Sequence, residues 1–165
     1  MASVEAFMGS SLDRVLEKLK ENEIAVSRLY AQFSQSFAED ADFWNQLSQQ
    51  ERQHAGWIER LREMLDSQDL RAATTVVNPQ VVDSAIAYAD TVREKSWRGD
   101  LTRLSAYAIA LEIENSLIEK SFFSLFVPAS SPYEEILKQL LLDTEGHRQK
   151  IGEALEAIRS QEGNI

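Results

Sequence analysis

The stretch Gln49-Gln50-Glu51-Arg52-Gln53-His54-Ala55-Gly56-Trp57-Ile58-Glu59-Arg60-Leu61 decides the fold, because it puts a carboxylate and an imidazole where a helix should bury apolar side chains. Steps of three and four through it pick out Trp44, Leu47, Glu51, His54, Ile58, Leu61 and Leu65, the seam of an amphipathic helix that faces a core. Glu51 and His54 interrupt that seam at its middle. Their spacing sets both on one helix face.

The same reading extends to three further segments. A first helix from near Ser10 or Ser11 to about Phe37 has the seam Leu19, Glu23, Val26, Tyr30, Phe33, Phe37. Ala38 to Asp42 turns the chain into the second helix, from about Phe43 to Met64. A third helix, capped by Asp100 and extending to about Phe126, has Leu104, Tyr107, Leu111, Glu114, Ile118, Ser121 and Leu125, with a second apolar row at Ala106, Ala110, Ile113 and Leu117. The fourth begins at a capping box, Ser131-Pro132-Tyr133-Glu134, and runs to about Ser160 through Leu137, Leu140, Thr144, His147, Ile151, Ala154 and Ile158. Between the second and third lies a long connection, Ser67 to Val77. A shorter helix then runs from Pro79 to about Lys95, with Asn78 as its N-cap and proline at its first position. The pattern predicts an all-α four-helix bundle, two helical hairpins joined by a long crossover containing an extra short helix. Helices of this length span roughly 33–40 Å, enough for a buried midpoint.

Composition agrees with one domain over residues 1–165 and narrows the chemistry. With 44% apolar residues, few prolines and few glycines, the chain is long enough to bury a core and leans helical. It has no cysteine, which excludes disulfides, zinc fingers, iron–sulfur clusters and thiol chemistry, so a metal would have oxygen and nitrogen ligands. A net charge of -10 disfavours nucleic acid, whose phosphates select clustered Lys and Arg. Met1 to Ser11 lacks the basic and apolar regions of a leader, and no window approaches the length of a membrane span. The expectation is a cytoplasmic protein with no nucleic-acid or membrane partner.

Every seam is interrupted near its middle by polar residues: Glu23, Glu51 with His54, Glu114, and Thr144 with His147. Three carboxylates at one level of a core would repel one another and lose hydration, and a bound cation relieves both penalties. Imidazole with carboxylate suits iron, manganese or zinc. Asp143, one turn before His147, lies beside the seam and can turn inward as a sixth ligand, whereas Glu145 points away. With three glutamates, two divalent ions keep a net positive charge; a fourth carboxylate from Asp143 cancels it.

These residues resemble the ferritin-like di-iron carboxylate proteins, most closely the rubrerythrin-like branch, over nearly the whole chain. Glu23 with Tyr30 in "NEIAVSRLY" looks like the first-helix ligand and its neighbouring tyrosine, and Glu51 and His54 look like the second-helix pair. Glu114 in "ALEIENSLIEK" is similar to the third-helix ligand, and His147 in "LLDTEGHRQKI" to the fourth-helix histidine. Thr144 stands where that family has a glutamate, and the cysteine module of full rubrerythrins is absent. The resemblance implies an iron-binding protein that oxidises Fe(II) or reduces oxygen or peroxide at a di-iron site, complete or not, and that pairs as a homodimer.

Plainer readings stand beside this one. Glu23 and Glu114 can be solvated residues if the helices are rotated, and each histidine can be a core residue bonded to a carbonyl. Tyr30, Trp44, Trp57 and Trp97 read as packing residues. A decayed bundle with one metal or none, acting as a binding or structural protein, is the alternative that Thr144 motivates, and mineral storage would need a hollow shell.

Overall fold

In a computed structural model, which describes residues 2–64, 78–116 and 134–162, the chain is a bundle of α-helices. In chain order these are α1 (Ala2–Ser36), α2 (Ala41–Met64), α3 (Pro79–Arg98), α4 (Arg103–Glu114) and α5 (Glu134–Glu162). A single 3-10 turn, Ala38–Asp40, links the first two. Among the described residues there is no strand, and no helix is long and apolar enough to cross a membrane.

The hairpin of α1 and α2 is held in register by a reciprocal pair of small residues. Ser27 Oγ donates to the Ser48 carbonyl at 2.8 Å, and Ser48 Oγ donates to the Ser27 carbonyl at the same distance. Both serines are buried, and their short side chains let the two backbones approach closely. Glu23 lies one turn before Ser27 and Glu51 one turn after Ser48, so this crossing brings the two carboxylates to the same level. Arg62 ties the other end of the hairpin to Asp13, Glu17 and Glu59, and Lys20 joins Glu17 and Glu59.

Several boundaries differ from the expected ones. Helix α1 starts at Ala2, because Gly9-Ser10-Ser11 is carried inside the helix; one glycine costs only about 1 kcal/mol there. The crossover helix α3 runs past Lys95 to Arg98, where Gly99 takes a left-handed conformation at φ 79°. That cap draws the Asp100 N–H back to the Lys95 carbonyl, so Asp100 finishes α3 and does not begin α4. Thr102 caps α4 instead, in a capping box with Ser105. Helix α4 ends at Glu114 with Asn115 as its C-cap, whose N–H returns to the Leu111 carbonyl, while the Ser116 N–H turns back to Ile113. The expected continuation to Phe126, the stop at Pro128, the connection Ser67 to Val77 and the Ser131 capping box lie outside the described residues.

The seams of α1 and α2 are buried as their periodicity requires, from Leu19 to Phe33 and from Trp44 to Leu61. Helix α4 turns its second row inward: Ala106 and Ala110 are buried beside Tyr107, while Leu104 and Leu111 are only half-buried. The buried apolar residues form two separate groups. One gathers Leu29, Phe33, Trp44, Tyr107 and Ile151 with their neighbours, the other Leu16, Leu19, Ile58, Leu61, Leu137 and Leu140. Glu23, Glu51, His54 and His147 occupy the layer between them. Helix α3 packs on α1 through Val82, Ala89 and Val92 and through Ser96, whose hydroxyl lies 2.9 Å from that of Ser36. Trp97 at its end is 73% exposed, contrary to a packing role; it projects from the last turn, beyond the buried Val92 and Ser96.

Candidate metal centre

Five of the six expected residues converge closely. Glu23, Glu51, His54 and His147 are each at most 4% exposed, and the side chain of Glu114 is 6% exposed. The rotation of α4 that buries Ala106 and Ala110 still directs Glu114 inward, because Tyr30 Oη donates to its Oε1 at 2.7 Å. That bond comes from α1 to α4; Tyr30 serves the third-helix carboxylate and not Glu23 on its own helix.

Glu51 is the hub. Its Oε2 lies 3.0 Å from His54 Nδ1, and its Oε1 lies 2.8 Å from His147 Nδ1, so each oxygen faces a different histidine. Glu23 Oε2 approaches His54 Nδ1 at 3.6 Å, and Glu114 Oε1 approaches His147 Nδ1 at 3.8 Å. Two triads result, Glu23–Glu51–His54 and Glu114–Glu51–His147. Donors bound at about 2.0–2.2 Å to one ion lie roughly 3–3.5 Å apart at tetrahedral or octahedral angles; the first triad comes near that at 3.0 and 3.6 Å, and the second has one shorter and one longer approach, 2.8 and 3.8 Å. The Glu51–His147 approach is short, yet neither Glu51 Oε1 nor His147 Nδ1 makes an aligned hydrogen bond among the described residues. A carboxylate oxygen and an imidazole nitrogen this close but not aimed at each other are arranged as two ligands of a third centre are. Glu51, His54 and His147 together offer ligand atoms that all lie within 4.8 Å of one another.

The outer edge of one imidazole is held by a hydrogen bond, and that of the other is approached by a carboxylate. Gln50 Oε1 lies 3.2 Å from His147 Nε2, and Asp143 Oδ2 lies 3.5 Å from His54 Nε2. Each of the two sits four residues before one histidine and beside the other, so α2 and α5 approach each other's histidines crosswise. Asp143 therefore stands on the Nε2 side of His54, away from the Nδ1 edge where the glutamates gather. Its other oxygen accepts from Gln139 Nε2 at 2.8 Å, and its side chain is 25% exposed. The two rings stack at 5.2 Å between centroids, tilted by 22°.

Thr144 is near the cluster without taking a ligand's place. Its hydroxyl donates to the Leu140 carbonyl of its own helix at 2.9 Å. It lines a cavity of about 20 Å³ together with Asn22, Glu23, Val26, Glu51, Ile113 and Glu114, room for an atom-sized occupant. Glu145 points outward and pairs with Arg148.

Electrostatics favour an ionised Glu51. Burial pushes its carboxyl up, but the adjacent imidazoles of His147 and His54 outweigh that and hold it well below the ordinary carboxylate range. Tyr30 moves the opposite way: burial, then the charges of Glu114 and Glu51, keep its phenol protonated. Gln50 was not foreseen from the sequence, although its position four residues before a seam histidine is the same as that of Asp143 before His147.

Comparison of the chain with protein-family models, with curated proteins and with solved structures finds no match, so the arrangement of these side chains carries the functional reading alone.

Proposed function

We propose that this chain is a ferritin-like, rubrerythrin-like metal protein that holds two divalent ions, iron by preference, around Glu51, and oxidises Fe(II) or reduces oxygen or peroxide there. The observation that carries the reading is the division of Glu51 between two histidines, Oε2 toward His54 and Oε1 toward His147. A carboxylate divided in this way would help to hold both ions, with Glu23 and Glu114 each holding one. Iron bound there supplies the electrons that reduce oxygen or peroxide.

The chain's own residues do the rest. Gln50 would hold the His147 imidazole with Nδ1 facing inward, the outer-shell contact that fixes a metal-bound histidine, and Asp143 approaches the same edge of His54 at 3.5 Å. Tyr30 fixes Glu114 through its hydroxyl. The apolar groups on either side of the polar layer exclude water, which strengthens every interaction between a cation and the carboxylates. Manganese or zinc suits the same donors.

The test is anaerobic Fe(II) titration with metal analysis, followed by exposure to oxygen. Two ions per chain and oxidation faster than in a Glu51→Ala, His54→Ala variant are expected; equal rates in the two proteins sink the reading. Thr144 favours a second reading, a bundle with one ion or none that acts through its surfaces, because its hydroxyl is spent on Leu140. A melting temperature indifferent to chelation, with less than one ion per chain, would select that alternative.

A further inference from the structure

The carboxylate side and the imidazole side of the cluster meet the surface differently. On the carboxylate side, Glu23, Glu51 and Glu114 line the cavity of about 20 Å³, which Asn22 and Thr144 also line and which extends to Ser116. Glu51 is buried and Ser116 is exposed, so this hollow joins the cluster to the surface of the bundle beside the end of α4. The imidazole side is closed. A cleft of about 260 Å³ lies outside α2, lined by Gln46, Gln49, Gln50 and Gln53, but the Gln50 side chain stands between it and His147, Oε1 to Nε2 at 3.2 Å. Asp143 faces the far edge of His54 at 3.5 Å.

Thr144 is what leaves the carboxylate side open. A longer side chain at that position would occupy the hollow, whereas threonine turns its hydroxyl back to the Leu140 carbonyl at 2.9 Å and leaves the space clear. A space of this size admits roughly one water molecule. A divalent ion with its full hydration shell is several times larger, so it passes only by giving up water, and the oxygens of Ser116 and Asn22, then of the carboxylates, are there to replace it. Carboxylates at the inner end of a narrow hollow also focus their field outward through it and concentrate cations at its opening.

We propose that this hollow is the port through which divalent cations reach and leave the cluster, and that Thr144, without being a ligand, sets how fast they pass. The proposal rests on the metal-binding reading above and deepens it by fixing the face from which the ion enters. A residue in a port raises or lowers the barrier to entry and to exit by the same amount, because both directions cross the same transition state. Affinity is therefore untouched. Removal of a ligand, by contrast, weakens the bound state itself and shows as a change in Kd. The two roles are separable by measuring rates and equilibrium on one set of variants.

Stopped-flow mixing of the metal-free protein with Co(II), followed by the visible absorption of the bound ion, measures entry. Dilution of the loaded protein into excess chelator measures exit, and equilibrium titration gives Kd. Thr144→Leu, which fills the hollow with an apolar side chain, should slow entry and exit alike by about tenfold while leaving Kd within about twofold. Thr144→Ala, which widens the hollow, should speed both. Ser116→Phe, at the exposed end, answers the case in which Thr144→Leu fails to fold, and should also slow both rates. Unchanged rates in these variants overturn the port, and so does a changed Kd with unchanged entry, which makes Thr144 a ligand. Faster entry in Gln50→Ala, with Thr144→Leu unaffected, moves the route to the glutamine-lined cleft and overturns it as well. Failure of the wild type to bind Co(II) removes the metal-binding reading, and the port with it.

Discussion

Glu51 reaches His147 across the gap between α2 and α5, Oε1 to Nδ1 at 2.8 Å, while its second oxygen stays with His54 on its own helix. One side chain therefore belongs to both triads, and the consequences of removing it differ from those of removing either histidine. Glu51→Ala should abolish both bound ions, whereas His147→Ala should abolish one and leave the Glu23–Glu51–His54 triad able to hold the other. Metal analysis after dialysis against Fe(II) or Zn(II) distinguishes these outcomes. Loss of only one ion from Glu51→Ala would show that the carboxylate is not shared.

Asp143 touches His54 from the outer edge, and its removal should weaken metal binding without removing a ligand. Truncation of such outer-shell partners lowers affinity by about 10–100-fold, so Asp143→Ala is expected to fall in that range in a competition assay against a chelator. A larger loss, matching that of Glu23→Ala, would make Asp143 a direct ligand.

Thr144 stands three residues before His147, where a carboxylate would complete a second Glu-x-x-His segment. Thr144→Glu places that carboxylate at the cavity beside Glu23, Glu51 and Glu114. The metal-free variant should melt lower than the wild type, since a fourth buried negative charge is added. The loaded variant should melt higher, and calorimetric scans of both forms check the crossing of the two orders.

Acid should destabilise the metal-free protein in a window set by Glu51. Its pKa is lowered in the folded chain from an ordinary 4.5. As pH falls through that value the unfolded chain binds the proton first, so stability present above about pH 4.5 declines below it. Melting temperature followed from neutral pH downward should fall more steeply for the wild type than for Glu51→Gln. Parallel slopes would mean that other carboxylates govern the acid limb.

The parts of this arrangement that were legible in the sequence are those fixed by a single helix. The seams of α1, α2 and α5 have a period that any helix must obey, so Glu23, Glu51, His54 and His147 could be assigned to buried positions before their partners were known. What depended on two helices could not be read. Ser27 and Ser48 look like surface residues in sequence, and only their mutual crossing makes them interior. Gln50 and Asp143 gain their meaning from the opposite helix, and Tyr30 turned out to hold Glu114 and not a neighbour on α1. The start of α4 escaped because Asp100 and Thr102 are both competent caps. The choice fell to Gly99, whose left-handed backbone commits Asp100 to the preceding helix.

The division of the apolar interior into two groups has a mechanical meaning. In most bundles the core is a continuous strip, and loosening one end is resisted by everything below it. Here the half-buried Ile86 packs against both halves, and the buried layer between them consists of ionisable side chains, so a cation seated there would work as a rivet. Drawn tight, it would make the halves melt as one body; withdrawn, it would leave mutually repelling carboxylates in that layer.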